Sequence, residues 1–515
     1  MRRSTPSPRR KAPPLLIAAA GLSAVLAAIP LVYLGVRIGE AGWEGVIRVL
    51  ERPRIPLLLA NTVVLAASVT LSAVVLGVAG ALALSRVRLP APRLFAVAAV
   101  LPLAVPSYLA AFGWLATFPG IHGFWPSWAV LTLVTVPYVT LPVVGALRGA
   151  PAAFAEVSRT LGHGPMRTFV SVVWPGIRTP TLAGALLTCL YVLADFGGVA
   201  LFRYPVLTTA IHQAYGASFD RYYAAVLAGV LVVIALAIFA AERRLRPRRE
   251  FAVGRAGSRP PGLTGWIVPV AAVVLLIAPI GAVAVPVASL VARLLNAQTV
   301  GETDASALAE ATANTIVLSV AGAIIAVILA LPIATLAARY AGRVARILET
   351  AGSVPLAVPG IVVGLGLVFF SLVAVPALYQ TSILLAFAYG ILFLPKAVGT
   401  IRSSIERVPR ALGDVAGTLG HAPLATWWRV TIRLARPGIL VAALFIAVTA
   451  MKELPATLML RPTGTTTLAV ELWARTDIAQ YGAAVPYAVV LVVLATIPAA
   501  LLSPREERVE MGRPV

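Results

Sequence analysis

Apolar positions along this chain fall into long, nearly unbroken runs instead of the one-sided stripe of a water-facing helix. A helix needs about 20 apolar residues to cross the hydrocarbon of a bilayer, and runs of that length recur throughout. They predict twelve spans. Six fall near 14–36, 55–84, 94–117, 126–148, 181–202 and 222–241. Six more fall near 266–292, 313–338, 351–376, 379–401, 437–459 and 484–503. Backbone that faces lipid has to be hydrogen-bonded within its own segment, so the runs are read as helices and the fold class as an all-α polytopic membrane protein. Between the two sets of six lies a stretch rich in Arg, Pro and Gly, Glu242 to Gly265. The expected organisation is therefore a first half over 1–241, a linker over 242–265 and a second half over 266–515.

Composition agrees: 59% of the 515 residues are hydrophobic and 12% charged, where soluble domains carry about 25% charged residues. A net charge of +22 would point to nucleic acid in a soluble protein. Here the basic residues cluster just outside the apolar runs, so lipid is the expected surrounding and no nucleic-acid partner is expected. Arg2, Arg3, Arg9, Arg10 and Lys11 precede the first run with no acid among them, which by the positive-inside rule puts the N-terminus in the cytoplasm. An even span count brings the linker and the C-terminus to the same side. Leu15 to Tyr33 is too long for a signal-peptide core and reads as a retained span. The first external loop is less regular: Arg37, Arg48, Arg52 and Arg54 lie beside Glu40, Glu44 and Glu51, a near-balanced charge that suits a segment lying on the membrane surface. Cys189 is the single cysteine, expected as a buried thiol.

The two halves repeat each other. Asn61-Thr62 returns as Asn314-Thr315, Pro102 to Pro106 as Pro355 to Pro359, and Leu141-Pro142 as Leu394-Pro395, each 253 residues later. Thr160 to Pro165 returns as Thr418 to Pro423 at an offset of 258, with Ala422 in place of Gly164. An even number of spans per repeat keeps the halves parallel. A pseudo-twofold axis along the membrane normal, with a pathway at the interface, follows.

Between its fourth and fifth spans each half carries a polar stretch with an acid six residues before a glycine. The first reads Glu156 to Gly162, then Pro165, Phe169, Trp174 and Pro175. The second reads Asp414 to Gly420, then Pro423, Trp427, Trp428 and Pro437, with Arg433 where the first half has Pro175. Such a stretch predicts a short helix carrying the acid, a glycine break, and a second helix entering the next span. The neighbouring His163 and His421 are read as turn residues, and no metal ligands are assigned. The pattern resembles the coupling loop of ABC importer permeases of the binding-protein-dependent, type I family. That resemblance implies two copies of a separate ATPase docking on the two loops, and an extracytoplasmic substrate-binding protein. It also implies residence in the inner membrane of a prokaryote. A P-loop needs a Gly-Lys pair, but the three lysines, Lys11, Lys396 and Lys452, follow Arg10, Pro395 and Met451. The chain is thus expected to be no enzyme and to bind no cofactor, with ATP and magnesium held by the partner subunits.

Asp195-Phe196-Gly197-Gly198, with Arg203, Pro205 and Thr208-Thr209 after it, resembles the first half of fused ferric-iron uptake permeases. Lys452 to Thr457, with Arg461-Pro462 and Thr466-Thr467 after it, resembles their second half, and the likeness runs from Leu57 to Ser503. Thiamine and aminoethylphosphonate permeases share much of this plan and remain alternatives. Charged groups within spans are costly and normally face protein or water, so Asp195, Lys452 and Glu453 are the candidates for a translocation pathway or gate. A carboxylate is a suitable ligand type for a hard cation. A secondary transporter also combines repeats with mid-membrane carboxylates, but it gives no reason for two coupling loops.

Overall fold

The computed structural model describes residues 12–149, 158, 160–216, 220–245, 263–295, 304–340 and 342–502. Most of the basic linker, and Glu156 of the first loop, lie outside the described residues. Among the described residues nine helices are long and apolar enough to cross a membrane. Two further elements are broken helix pairs, Pro92–Ala104 with Ser107–Thr117 and Arg343–Ala357 with Gly360–Ala374, bent by 96° and 107°. With the apolar helix Tyr481–Leu502 these occupy the twelve places that hydropathy predicts.

The boundaries differ most at the fifth spans. They run over Met166–Ala194 and Pro423–Ala450, so they begin within the polar loop and stop before Asp195 and Glu453. The expected 181–202 and 437–459 were displaced because aromatic residues at each entrance are helical. They form a π-helical stretch, Phe169–Val173 in one half and Trp427–Ile432 in the other. Both halves thus build a π-helical entrance, although Arg433 stands where the first half has Pro175.

The breaks in the third spans follow from proline chemistry. Pro102 and Pro106 lack amide protons, as do Pro355 and Pro359, and each segment narrows into a 3₁₀ turn, Leu101–Ala104 or Val354–Ala357. The chain then extends at Val105 and Val358 and the helix restarts in a new direction.

The charges after the first span also find partners. The first helix, Pro14–Leu50, turns at Gly42, where φ is +67°, a conformation open to glycine. Arg37 pairs with Glu40 and its guanidinium lies 5.4 Å from the Tyr222 ring centroid. Arg52 reaches Asp220 at 3.2 Å, so this segment is tied to the entrance of the sixth span, Arg221–Leu245.

The first span of each half packs against the other half. Pro14–Leu50 lies along Ala305–Arg339 and Gly360–Ala374, and Ile267–Leu294 lies along the second, third and fourth spans of the first half. The crossings are close because glycine allows them. A Cβ on Gly366 would lie 2.3 Å from the Pro30 carbonyl oxygen, and one on Gly113 would lie 2.3 Å from Pro286 Cα. Gly113 and Gly366 are separated by the repeat offset of 253, so one device serves both crossings. Trp114 adds a bond across the halves, donating from Nε1 to the Gly281 carbonyl at 2.8 Å. That carbonyl belongs to the π-helical stretch Ile280–Ala284.

This packing makes a signed prediction. Gly→Ala inside a helix normally stabilises by about 1 kcal/mol, and Gly35→Ala, whose Cβ would meet open space within 4 Å, is expected to raise or leave unchanged the thermal midpoint in detergent. Gly366→Ala is expected to lower it, since a backbone oxygen has no room to move. Equal midpoints for the two variants would remove the close crossing.

Candidate functional site

Two places bring the polar residues of the repeat together: the elbows at the entrance of the fifth spans, and the breaks at their far ends.

At the second elbow, helix Arg410–Thr418 ends at Gly420, with φ +82°. The His421 amide donates to the Ala416 carbonyl at 3.1 Å and the Gly420 amide to the Gly417 carbonyl at 3.0 Å. This is the Schellman closure of a helix, which satisfies the last carbonyls and calls for a left-handed residue. The first elbow repeats it: Gly162 has φ +78° and the His163 amide donates to the Ser158 carbonyl at 3.1 Å. A Cβ at either glycine would meet nothing within 4 Å, so glycine is required by the backbone and not by crowding. Pro423 then opens the next helix, and Pro165 occupies the matching place. His163 bonds locally, its Nδ1 3.2 Å from Ser158 Oγ. Trp427 fastens the second elbow to the neighbouring span, donating from Nε1 to Thr335 Oγ1 at 3.2 Å.

Three pairs of equivalent apolar residues stand exposed on these elbows: Leu161 and Leu419, Met166 and Leu424, Val170 and Trp428. Asp414 is exposed beside them.

At the far ends of the fifth spans the chain breaks and a short helix follows, Gly197–Leu201 in one half and Pro455–Leu460 in the other. The carboxylates close these breaks. Asp195 accepts from the amides of Gly198 at 3.1 Å and Val199 at 3.2 Å, and from the Ser107 hydroxyl. Glu453 accepts from the Ala456 amide at 3.1 Å. Its Oε1 lies 2.6 Å from where a Cβ on Gly360 would be. Ser107 and Gly360 are equivalent, each directly after the last proline of the repeated Pro-Leu-Ala-Val-Pro. A short acid facing a serine thus replaces a long acid facing a glycine. Threonines complete both breaks: Thr208 Oγ1 donates to the Asp195 carbonyl and Thr457 Oγ1 to the Glu453 carbonyl, both at 2.7 Å.

Lys452 does not pair with an acid among the described ion pairs. Its Nζ donates to the carbonyls of Leu103 and Ala104, both at 3.3 Å, which lie in the broken third span of the other half. Tyr108 returns the contact, its hydroxyl donating to the Lys452 carbonyl at 3.4 Å. Asp195, Lys452 and Glu453 therefore share one level, at the break and across the interface of the halves. They lie at the end opposite the elbows. Two adjoining clefts of about 400 and 270 Å³ open at that end, lined by Arg293, Arg475 and Tyr481 and by His122, Arg203 and Asp477.

Sequence reasoning missed Ser107, Gly360 and Tyr108, and saw Asn61-Thr62 and Asn314-Thr315 only as markers of the repeat. Asn61 Nδ2 donates to the Pro205 carbonyl at 2.9 Å and Asn314 Nδ2 to the Thr466 carbonyl at 3.1 Å. Thr62 and Thr315 accept from the amides of Leu207 and Leu468 at 3.0 and 2.9 Å. The pairs hold the chain where it turns back after each break. Among the described residues no three His, Cys, Asp or Glu side chains are grouped to hold a metal ion.

A family profile described as binding-protein-dependent transport system inner membrane component matches the chain twice, over residues 73–250 and 330–505. Each matched segment contains one elbow and one capping carboxylate. The chain is 33% identical over 501 residues to the Fe(3+)-transport system permease protein FbpB 2 of Haemophilus influenzae, covering 95% of this chain and 97% of that one. A shorter match is the molybdenum transport system permease protein ModB of Mycobacterium tuberculosis, 30% identical over 190 residues, 34% of this chain and 72% of that one. Another is the putative 2-aminoethylphosphonate transport system permease protein PhnV of Salmonella typhimurium, 28% identical over 143 residues, 27% of this chain and 53% of that one.

The size exchange at the breaks is testable as a cycle. Gly360→Ser alone crowds Glu453 and is expected to destabilise by about 1–3 kcal/mol; Glu453→Asp alone leaves the site underfilled. Together they reproduce the Asp195–Ser107 pair, and at least half of the summed loss in thermal midpoint is expected to return. Additive losses would show that the two positions are not coupled.

Proposed function

The chain belongs to the binding-protein-dependent transport system inner membrane components, and we propose that it is the two-half membrane pathway of an ATP-driven importer of ferric iron. The iron assignment rests on similarity to an Fe(3+) permease along 95% of the chain. The coupling assignment rests on the two elbows, alike in backbone, glycine and exposed apolar side chains.

Two copies of an ATPase subunit would cover the elbows, one each, and hold the ATP and magnesium; this chain contributes the lever. Each elbow runs through its π-helical stretch into a continuous span of 29 or 28 residues, about 40 Å long at 1.5 Å per residue. The far end of that lever is the carboxylate-capped break. Movement of the elbows when the ATPase closes is therefore delivered to the level of Asp195, Lys452 and Glu453, at the interface of the halves. A loaded binding protein would dock at that end, where the arginine-lined clefts open. In this reading Glu156 and Asp414 belong to the ATPase contact, and both termini and the linker lie on the ATPase side, in the cytoplasm. Carboxylate oxygens suit a hard ferric ion. Their use as helix caps keeps them from gripping it, as transport requires.

Reconstitution in liposomes with the ATPase and binding protein tests the function. Ferric iron is expected to accumulate only with both partners and ATP. Accumulation of molybdate, thiamine or 2-aminoethylphosphonate instead would overturn the iron assignment, and iron flux driven by a proton gradient without the ATPase would overturn the importer. The elbow is tested separately by Gly162→Leu with Gly420→Leu. Both positions have φ near +80°, which a branched side chain resists. Uptake is expected to fall about tenfold or more relative to ATP hydrolysis, with the chain still inserted; an unchanged ratio would argue against coupling through the elbows.

A further inference from the structure

The helices Leu207–Gly216 and Leu468–Asp477 are the same element in the two halves. Each has ten residues, and each begins where a threonine of the second span accepts the first amide, Thr62 for Leu207 and Thr315 for Leu468. Counted from those starts, His212 and Trp473 are equivalent, at an offset of 261. Equivalent residues of two halves related by a twofold axis meet only on the axis. These two do meet: their ring centroids are 5.7 Å apart with planes at 84°. Phe196 leans on both, 4.8 Å from His212 and 5.6 Å from Trp473. The passage between two parallel repeats runs along this axis, so three rings stand across it at the end opposite the elbows. Phe196 directly follows Asp195, which ties the rings to the far end of the first lever.

Packing alone does not account for the pair. His212 Nδ1 and Trp473 Nε1 are both buried without a hydrogen-bond partner, whereas buried polar atoms are ordinarily paired. An indole N–H donates but cannot ligate a metal; an imidazole nitrogen can do either. Two imidazoles facing each other here would form a metal site and retain a passing cation. One imidazole against one indole leaves a polar site that meets an oxygen, from water or hydroxide carried by the ion, without holding the ion itself.

We propose that His212 and Trp473, backed by Phe196, are the gate of the pathway at this end, and that their unlike ring nitrogens let a hydrated cation pass without being trapped. This rests on the importer reading above. The gate closes the axis when the rings touch and opens when the levers draw the halves apart.

The test converts the gate into the trap that it avoids. In the variant Trp473→His, zinc added alone is expected to bridge the two imidazoles and lower ATP hydrolysis stimulated by the loaded binding protein about tenfold below the variant's own zinc-free rate. His212→Ala with Trp473→His is expected to be insensitive to the same zinc. Indifference of Trp473→His to zinc, or equal inhibition of the double variant, would overturn the axial pair. If Trp473→His has no zinc-free rate, His212→Cys in a Cys189→Ser chain decides. Its reaction with a membrane-impermeant thiol reagent from the binding-protein side is expected to quicken about tenfold during turnover; unchanged reactivity would overturn the gate. A wild-type complex that imports no iron would instead sink the importer reading, whatever zinc does.

Discussion

Hydrocarbon offers no hydrogen bonds, so a helix broken inside a membrane has to find donors and acceptors within the protein. This chain breaks its third span in each half at paired prolines, and breaks again after each fifth span. The residues that looked like candidates for chemistry are the ones that repair these breaks. Lys452 supplies donors to the Leu103 and Ala104 carbonyls. Asp195 and Glu453 supply acceptors to the amides of the restarted helices. Thr62 and Thr315 accept the first amides of the next turn. An unmade bond of this kind costs about 1–3 kcal/mol, so four breaks are tolerable only with such partners. Irregular backbone at membrane depth is otherwise found where it lines a cavity or lies buried in protein, and here it gathers at the interface of the halves.

The contacts between the halves also differ between the periphery and the centre. At the periphery the first spans embrace the opposite halves through glycine crossings, Gly366 on Pro30 and Gly113 on Pro286. Backbone meets backbone there, and small residues give a contact that hydrocarbon cannot weaken. On the proposed axis the contacts are rings, which can part without breaking a helix. A fastened rim and a separable centre suit two halves that rock while staying joined.

Much of this was legible from the residues. Apolar run length located all twelve elements, and the offsets of 253 and 258 revealed the halves and their elbows. The glycines of the elbows were recognisable because a left-handed residue after a helix has few alternatives. The ends of the fifth spans were misplaced because aromatic, β-branched stretches such as Phe169 to Val173 hide a π-helical entrance. The embrace of the halves was invisible, since nothing near Pro30 announces a partner at Gly366. The role of the Asn-Thr pairs needed the turn that they hold. The axial pair was hidden twice over: histidine and tryptophan do not read as equivalents, and the extra residues between Arg461 and Leu468 move the offset from 258 to 261.

The halves are free to differ because one chain carries both. A pathway made of two identical copies has to place each axial residue against itself. His212 would face a second imidazole, giving a metal trap. Fusion lifts that requirement. Asp195 with Ser107 and Glu453 with Gly360 fill equivalent space with different atoms, Lys452 reaches across the interface from where the other half has Ala194, and histidine meets tryptophan. Each exchange preserves the shape of the repeat while making the axis chemically uneven, and an uneven axis offers a cation no symmetric cage in which to stop.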